Sequence, residues 1–276
     1  MDRTEQQAAL IAKLTAGIAG LADSNRWQEH LDYQARFHRY SFGNAVLIAA
    51  QCPGASRVAG YRAWQRLGRT VRRGERAIWI LAPMVVAKAD KSRTADDRDD
   101  KLVRGFKYVP VFDVSQTEGV EVPVICRPLV GDAPGSCFAL LVDAARSLGY
   151  RVEDADLAAG THGDCHFGLR RIRVARCNAP AQRVKTLAHE IAHALLHDGE
   201  RNRPLAELEA ESTAYVVCQQ LGLDTGDYSF GYVAAWAGGG EQAIEAIRSS
   251  CANIQRAAAF LIESTATERE PVPQPV

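Results

Sequence analysis

The chain has 276 residues and carries 33 basic against 33 acidic side chains, so its formal net charge is zero. That balance excludes a global field drawing the protein onto nucleic acid or a membrane surface, and leaves only local clustering for either role. Apolar residues make up 47% and charged ones 24%, which excludes a largely disordered chain and supplies a core for one large domain or two modest ones.

The start, Met1 to Ala19, reads as a polar amphipathic helix with Leu10, Ile11, Leu14, Ile18 and Leu21 at helical spacing. It lacks the uninterrupted apolar centre of a secretion signal, and no later run is long enough to span a bilayer. The seven cysteines have no short paired spacing, which fits reduced thiols. A cytoplasmic protein is therefore expected. A second helical pattern runs from Trp27 through Phe37. Ser41 can cap a third helix through Asn44, Leu47 and Ile48, stopped by Pro53 and Gly54. Tyr61 to Leu67 is a short helix candidate.

Arg57 to Arg76 is basic. Arginine recurs at 57, 62, 66, 69, 72, 73 and 76 against a single acid, Glu75, with Tyr61 and Trp64 interleaved. Guanidinium groups hold phosphates and aromatic faces stack unpaired bases, so Tyr61, Trp64, Arg69, Arg72 and Arg73 are candidates for contact with single-stranded DNA. The competing reading is a solvated arginine-rich helix and turn with Trp64 in the core.

Ala77 to Leu81 and Tyr108 to Val114 are strand candidates, and the charged segment Lys88 to Lys101 between them reads as an exposed, mobile loop. Val120 to Leu129 looks extended. The turn-rich Gly131 to Gly135 marks a domain boundary, giving domains over 1–130 and 131–264 and a proline-rich disordered tail over 265–276. The second half begins with a helix, Ser136 to Leu148, and strand candidates at Tyr150 to Val152 and His166 to Ala175. A helix from Ala181 to His197 follows, then a helix from Pro204 to Leu221 and a last one from Glu241 to Ile262. The stretch from His166 to Val174 could be an edge strand that pairs with an extended peptide.

His189-Glu190-Ile191-Ala192-His193 lies inside the first of those late helices. Two histidines one turn apart project from one face and can ligate one divalent cation, with Glu190 beside them as the base that takes a proton from water. Zinc suits imidazole plus carboxylate. A third protein ligand is required, and Glu207 and Glu211 share a face of the next helix. Glu207 is the expected ligand, and Glu211 the alternative or the partner of a ligand histidine ring. Glu209 points elsewhere. His197 reads as a surface residue or a complement to the helix dipole. Tyr228 and Tyr232 could reach an oxyanion but read more simply as core cover.

The ordered series Tyr40-Ser41-Phe42-Gly43-Asn44, Leu47, Ile48, Gln51, Val58 to Tyr61, Trp64, Gly68 to Glu75, Ile78 to Pro83 and Val111 to Thr117 resembles the N-terminal domain of ArdC-type antirestriction proteins, over about Thr15 to Pro123. The resemblance implies single-stranded DNA binding and adds Ser41 and Asn44 to the expected DNA-binding set. The second half is similar to the zincin-type metallopeptidase domain fused to it in that family, and to ImmA/IrrE-type peptidases. It implies that Glu207, the first glutamate of the pair, is the ligand. Where those peptidases often have Asn or Asp four residues later, this chain has Glu211. The fold expected is α+β in two domains: an N-terminal helical/β DNA-binding domain and a C-terminal zincin-like domain holding Zn2+. The function expected is a zinc metallopeptidase with a protein or peptide substrate, joined to a single-stranded-DNA-binding module, with a role in antirestriction or DNA-entry protection. The alternatives are a DNA-binding antirestriction protein with a structural zinc, and a regulatory protease that cleaves a repressor.

Overall fold

The computed structural model describes residues 3–21, 24–87, 101–121, 133–199, 202–223 and 240–265. The segment 88–100, most of the extended run after Val120, Gly131 and Asp132, the two tyrosines Tyr228 and Tyr232 and the tail from residue 266 lie outside the described residues.

Three helices open the chain: α1 (Arg3–Gly20), α2 (Ser24–Arg36) and α3 (Phe42–Gln51). The Ser41 hydroxyl accepts from the Asn44 backbone N–H and so caps α3. After β1 (Val58–Ala59), α4 (Tyr61–Arg66) and β2 (Arg69–Val71) comes a long antiparallel ribbon, β3 (Ile78–Ala87) and β4 (Lys101–Asp113). The ribbon extends well past the strands read from the sequence, with a bulge between Met84 and Val85. The order β1-β4-β3 forms one sheet, while β2 pairs with β5 (Thr117–Gly119). Alternation along the ribbon turns Ile78, Ile80, Ala82, Val109 and Val111 inward onto Phe37, Tyr40 and Ile48.

The second half contains α5 (Ala133–Ser147), β6 (Arg151–Ala155), β7 (Gly163–His166), β8 (Arg171–Ala175), α6 (Pro180–Leu196), α7 (Arg203–Gln220) and α8 (Gly240–Thr265). The sheet order is β6-β8-β7, with β6 parallel and β7 antiparallel to β8. One correction concerns the expected strand from His166 to Ala175. It is two strands joined by a turn in which Arg170 takes φ +47°, and β8 is the central strand. Among the described residues β7 and β6 are the edge strands, and the arginine-bearing β8 is not.

The first three helices do not stand apart from the second half. Leu14, Ile18, Trp27, Leu31, Phe42 and Leu47 share one apolar cluster with Leu141, Ile172, Leu187, Ile191, Val216, Ile254 and Leu261. Polar ties cross the same seam: Trp27 Nε1–H donates to Ser212 Oγ at 3.1 Å, and the Tyr215 hydroxyl donates to Asp32 at 2.5 Å. The core therefore runs across the turn-rich break at residues 131–135. Among the described residues no helix is long and apolar enough to cross a membrane.

Candidate metal centre

Helix α6 starts with Pro180, whose missing N–H costs nothing in a first turn, and buries Val184, Leu187, Ala188, Ile191 and Ala192. That apolar face fixes the helix and leaves His189 and His193 one turn apart on another. Their Nε2 atoms lie 3.1 Å from each other. Helix α7, capped by the Asn202 side chain, packs beside α6 and brings Glu207 to the pair. Glu207 Oε2 lies 3.4 Å from His189 Nε2 and 3.7 Å from His193 Nε2.

This triangle fits a cation. Ligand atoms bound tetrahedrally at about 2.1 Å stand about 3.4 Å apart, close to the three separations here. Among the described residues, His189, His193 and Glu207 form a group with the spacing to hold a metal ion. Two imidazole nitrogens and one carboxylate oxygen would give a cation three protein ligands, the number that leaves room for solvent or substrate.

The outer contacts select which nitrogen faces inward. Glu211 accepts from His189 Nδ1–H at 3.2 Å and pairs through its other oxygen with Lys185 Nζ at 2.9 Å. An ionised carboxylate only accepts, so His189 donates from Nδ1–H, which leaves Nε2 as the atom that would give up its proton to a cation. The His189 and His193 rings beside it hold the Glu207 carboxyl well below the usual carboxylate range. Burial opposes ionisation of Glu211, but its contacts with His189 and Lys185 outweigh that and lower its pKa too. Burial lowers the His189 pKa, yet Glu207 and Glu211 reverse the effect and lift it to about 9. His193 is held below its ordinary value, chiefly by burial.

Glu190 is 7% exposed and lies beside the triangle under β7. Burial raises its pKa to about 7, helped by Asp164 and Glu207 and opposed by His189. The approach of β7 depends on Gly163. A Cβ there would come within 2.5 Å of Thr186 Cγ2 and 3.1 Å of Glu190 Oε1. Glycine thus lets an edge strand run against the helix that carries the histidines.

The surface position expected of His197 is not what the fold gives it. The residue is 5% exposed, with Nδ1 2.9 Å from His193 Nδ1 and Nε2 3.0 Å from Glu209 Oε2. Glu209 does point away from the triangle, but into the interior, where it is 3% exposed and accepts from Asn253 of α8 at 3.2 Å. The i, i+4 spacing of His193 and His197 was the available signal. It does not reveal that α8 covers them.

The residues expected to touch DNA divide. Trp64 is fully buried and donates from Nε1 to the Phe112 carbonyl at 2.9 Å, so it cannot stack a base. Asn44 is 8% exposed and grips the Leu81 backbone through both side-chain atoms, at 2.8 and 2.9 Å. Trp64 and Asn44 turn inward, where their polar groups satisfy backbone that would otherwise be unpaired, whereas Ser41 caps α3 and stays exposed. Arg69 donates to Thr117 and to the Gly119 and Val120 carbonyls, and Arg72 donates to Glu75 and to the Ser115 carbonyl, so both tie the β2 region to the β5 region. Tyr61 and Arg73 are exposed. Sequence reasoning missed two exposed aromatics of the ribbon, Trp79 and Phe106; their alternation with Ile78, Ile80 and Val109 was the signal that could have found them.

With this geometry in place, comparison with known proteins is informative. Residues 3–112 match the model of the N-terminal domain of anti-restriction factor ArdC, and residues 145–218 match that of the IrrE N-terminal-like domain, a peptidase family. A Bacillus anthracis protein described as uncharacterised is 26% identical over 276 aligned positions, covering 84% of this chain and 46% of that protein. The chain thus spans about half the length of that curated relative. The crystal structure of the antirestriction protein ArdC from plasmid R388, in its metal-free form, shares the fold at TM-score 0.50 and 22% identity, over 83% of this chain and 86% of that one. The Mn(II)-bound form of the same protein aligns at TM-score 0.48 and 21% identity, over 82% and 89%.

Proposed function

We propose that this chain, which joins an ArdC-type N-terminal domain to an IrrE-like peptidase domain, is a zinc-dependent metallopeptidase coupled to a single-stranded-DNA-binding surface, with a role in antirestriction. The observation that carries the reading is the triangle of His189, His193 and Glu207 at metal-ligand separations, with Glu190 buried beside it. A divalent cation held there supplies Lewis acidity toward a carbonyl and lowers the pKa of water. Glu190 takes a proton from the attacking water and passes it to the leaving amine. Glu211 and Lys185 keep the His189 ring oriented. The free edge of β7 offers backbone N–H and C=O groups to an extended peptide beside Glu190.

DNA contact falls to the exposed part of the basic stretch. Arg62, Arg66, Arg73 and Arg76 are exposed, as are Tyr61, Trp79 and Phe106. These are groups that bind phosphate and stack bases. Arg72 is exposed as well, and Arg69 and Arg72 brace that surface through their bonds to the β5 region.

The test pairs metal content with turnover on a generic unfolded protein substrate. The intact chain should hold one zinc per molecule. Glu190→Gln should retain the zinc and lose hydrolysis, whereas His193→Ala should lose both. Undiminished turnover in Glu190→Gln would reject the mechanism. Protection of DNA that survives Glu190→Gln would favour the binding protein with a structural zinc.

A further inference from the structure

We propose that His197 and Glu209 form a buried outer arm of the metal centre that fixes the proton of His193 on Nδ1 and so turns its Nε2 lone pair toward the cation. The inference rests on the metal-site reading above and extends it to two residues outside the His189, His193 and Glu207 triangle.

Three observations carry it. The contacts form one continuous line, from His193 Nδ1 to His197 Nδ1 at 2.9 Å and from His197 Nε2 to Glu209 Oε2 at 3.0 Å. The side chains of both outer residues are only 4% exposed, so water cannot replace either contact. Glu209 is itself held from a third element: Asn253 Nδ2 donates to its two oxygens at 3.2 and 3.4 Å, and Arg256 donates to Asn253 Oδ1 at 2.9 Å.

The donor and acceptor roles then follow in sequence. A carboxylate can only accept, so His197 donates from Nε2–H to Glu209. A neutral imidazole with its proton on Nε2 has a lone pair on Nδ1, which must accept. His193 therefore donates from Nδ1–H and keeps its Nε2 unprotonated. On the other side His189 donates from Nδ1–H to Glu211, so its Nε2 also turns toward the cation site. The two ligand rings are thus oriented by separate carboxylates of one helix, α7: one directly, one through an intervening histidine. His197 and Glu209 are positioning residues, since neither reaches the three metal-facing atoms.

The experiment uses the full chain. In the metal-free wild type, long-range 1H–15N correlation of the neutral histidine rings should find the proton of His193 on Nδ1 and that of His197 on Nε2. Zn2+ affinity, read by competition with a chromophoric chelator, should fall about 10- to 100-fold in Glu209→Leu and in His197→Phe. Glu209→Gln keeps a carbonyl acceptor and should stay within a few-fold of wild type, with its circular dichroism unchanged. A His193 ring protonated on Nε2 in the wild type overturns the proposal, whether or not the variants fold. So does an unchanged Zn2+ affinity in folded Glu209→Leu and His197→Phe. A wild-type protein that takes up no Zn2+ would instead sink the metal-site reading, while the ring protons still decide the arm.

Discussion

The α6–α7 pair and the basic stretch from Arg57 to Arg76 both stand out in the sequence, yet folding treats them differently. In the first, residues chosen by spacing converge: His189, His193 and Glu207 come within metal-ligand distance of one another. In the second, residues chosen by type scatter: Trp64 and Asn44 turn inward, Arg69 and Arg72 become clamps, and Arg73 stays in solvent. The difference lies in range. A ligand pair at i, i+4 needs only a helix, whose geometry is local. Which side of a basic stretch faces water depends on what packs over it from elsewhere in the chain.

The comparison can be broken first at the metal. Glu207→Gln should abolish zinc uptake at micromolar metal, whereas Glu211→Gln should weaken it only about 10- to 100-fold, because it disturbs a ring and not a ligand. Titration with Zn2+ against a chelator separates them, and the reverse ranking would make Glu211 the ligand.

The two tryptophans sharpen the other half. Trp64→Ala removes a fully buried ring and its bond to Phe112, and should cost about 3–5 kcal/mol of stability in denaturant unfolding. Trp79→Ala should leave stability nearly unchanged and weaken binding of a single-stranded oligonucleotide by about 1–3 kcal/mol. If Trp64→Ala lost DNA affinity while keeping its melting behaviour, the division of this stretch into core and surface would fail.

A third prediction concerns the packing of the first three helices. His30 is buried against Phe42, and burial lowers its pKa to about 4. The unfolded chain binds this proton more readily, so stability is full above pH ~6.5 and declines as pH falls toward 4, by roughly 3 kcal/mol at most. His30→Phe should flatten that part of the stability–pH curve. A curve with unchanged slope would show that His30 does not govern it.

The smallest effect is electrostatic. Replacing Arg73 and Arg76 together by Gln should make the dependence of log affinity on log salt shallower, by about 0.7 for each phosphate that the two guanidinium groups neutralise. An unaltered slope would remove both from the DNA surface.

Much of the site is legible in the sequence because its chemistry is written in short spacings. The H-E-x-x-H run and its apolar flank announce α6, and Glu207 with Glu211 announces a shared face on α7. The places of His197 and Glu209 are not legible, because nothing near them in sequence shows that α8, starting some thirty residues after Glu209, closes over them. Strand β7 escapes notice for a related reason. Gly163 to His166 is short and weakly apolar, and it is a strand because β8 and α6 hold it.

By itself, then, the sequence determined the helices, the i, i+4 histidine pair and the two candidate carboxylates, since each follows from a local period and the side chains on it. Only the tertiary structure decided that Glu207 faces both Nε2 atoms, that a second carboxylate reaches His193 through His197, and that the first three helices share a core with α6 and α7. The first two depend on how α6 and α7 pack together, and the last on faces that meet across more than a hundred residues of chain. Burial and hydrogen-bond satisfaction settle that, and neither is visible one residue at a time.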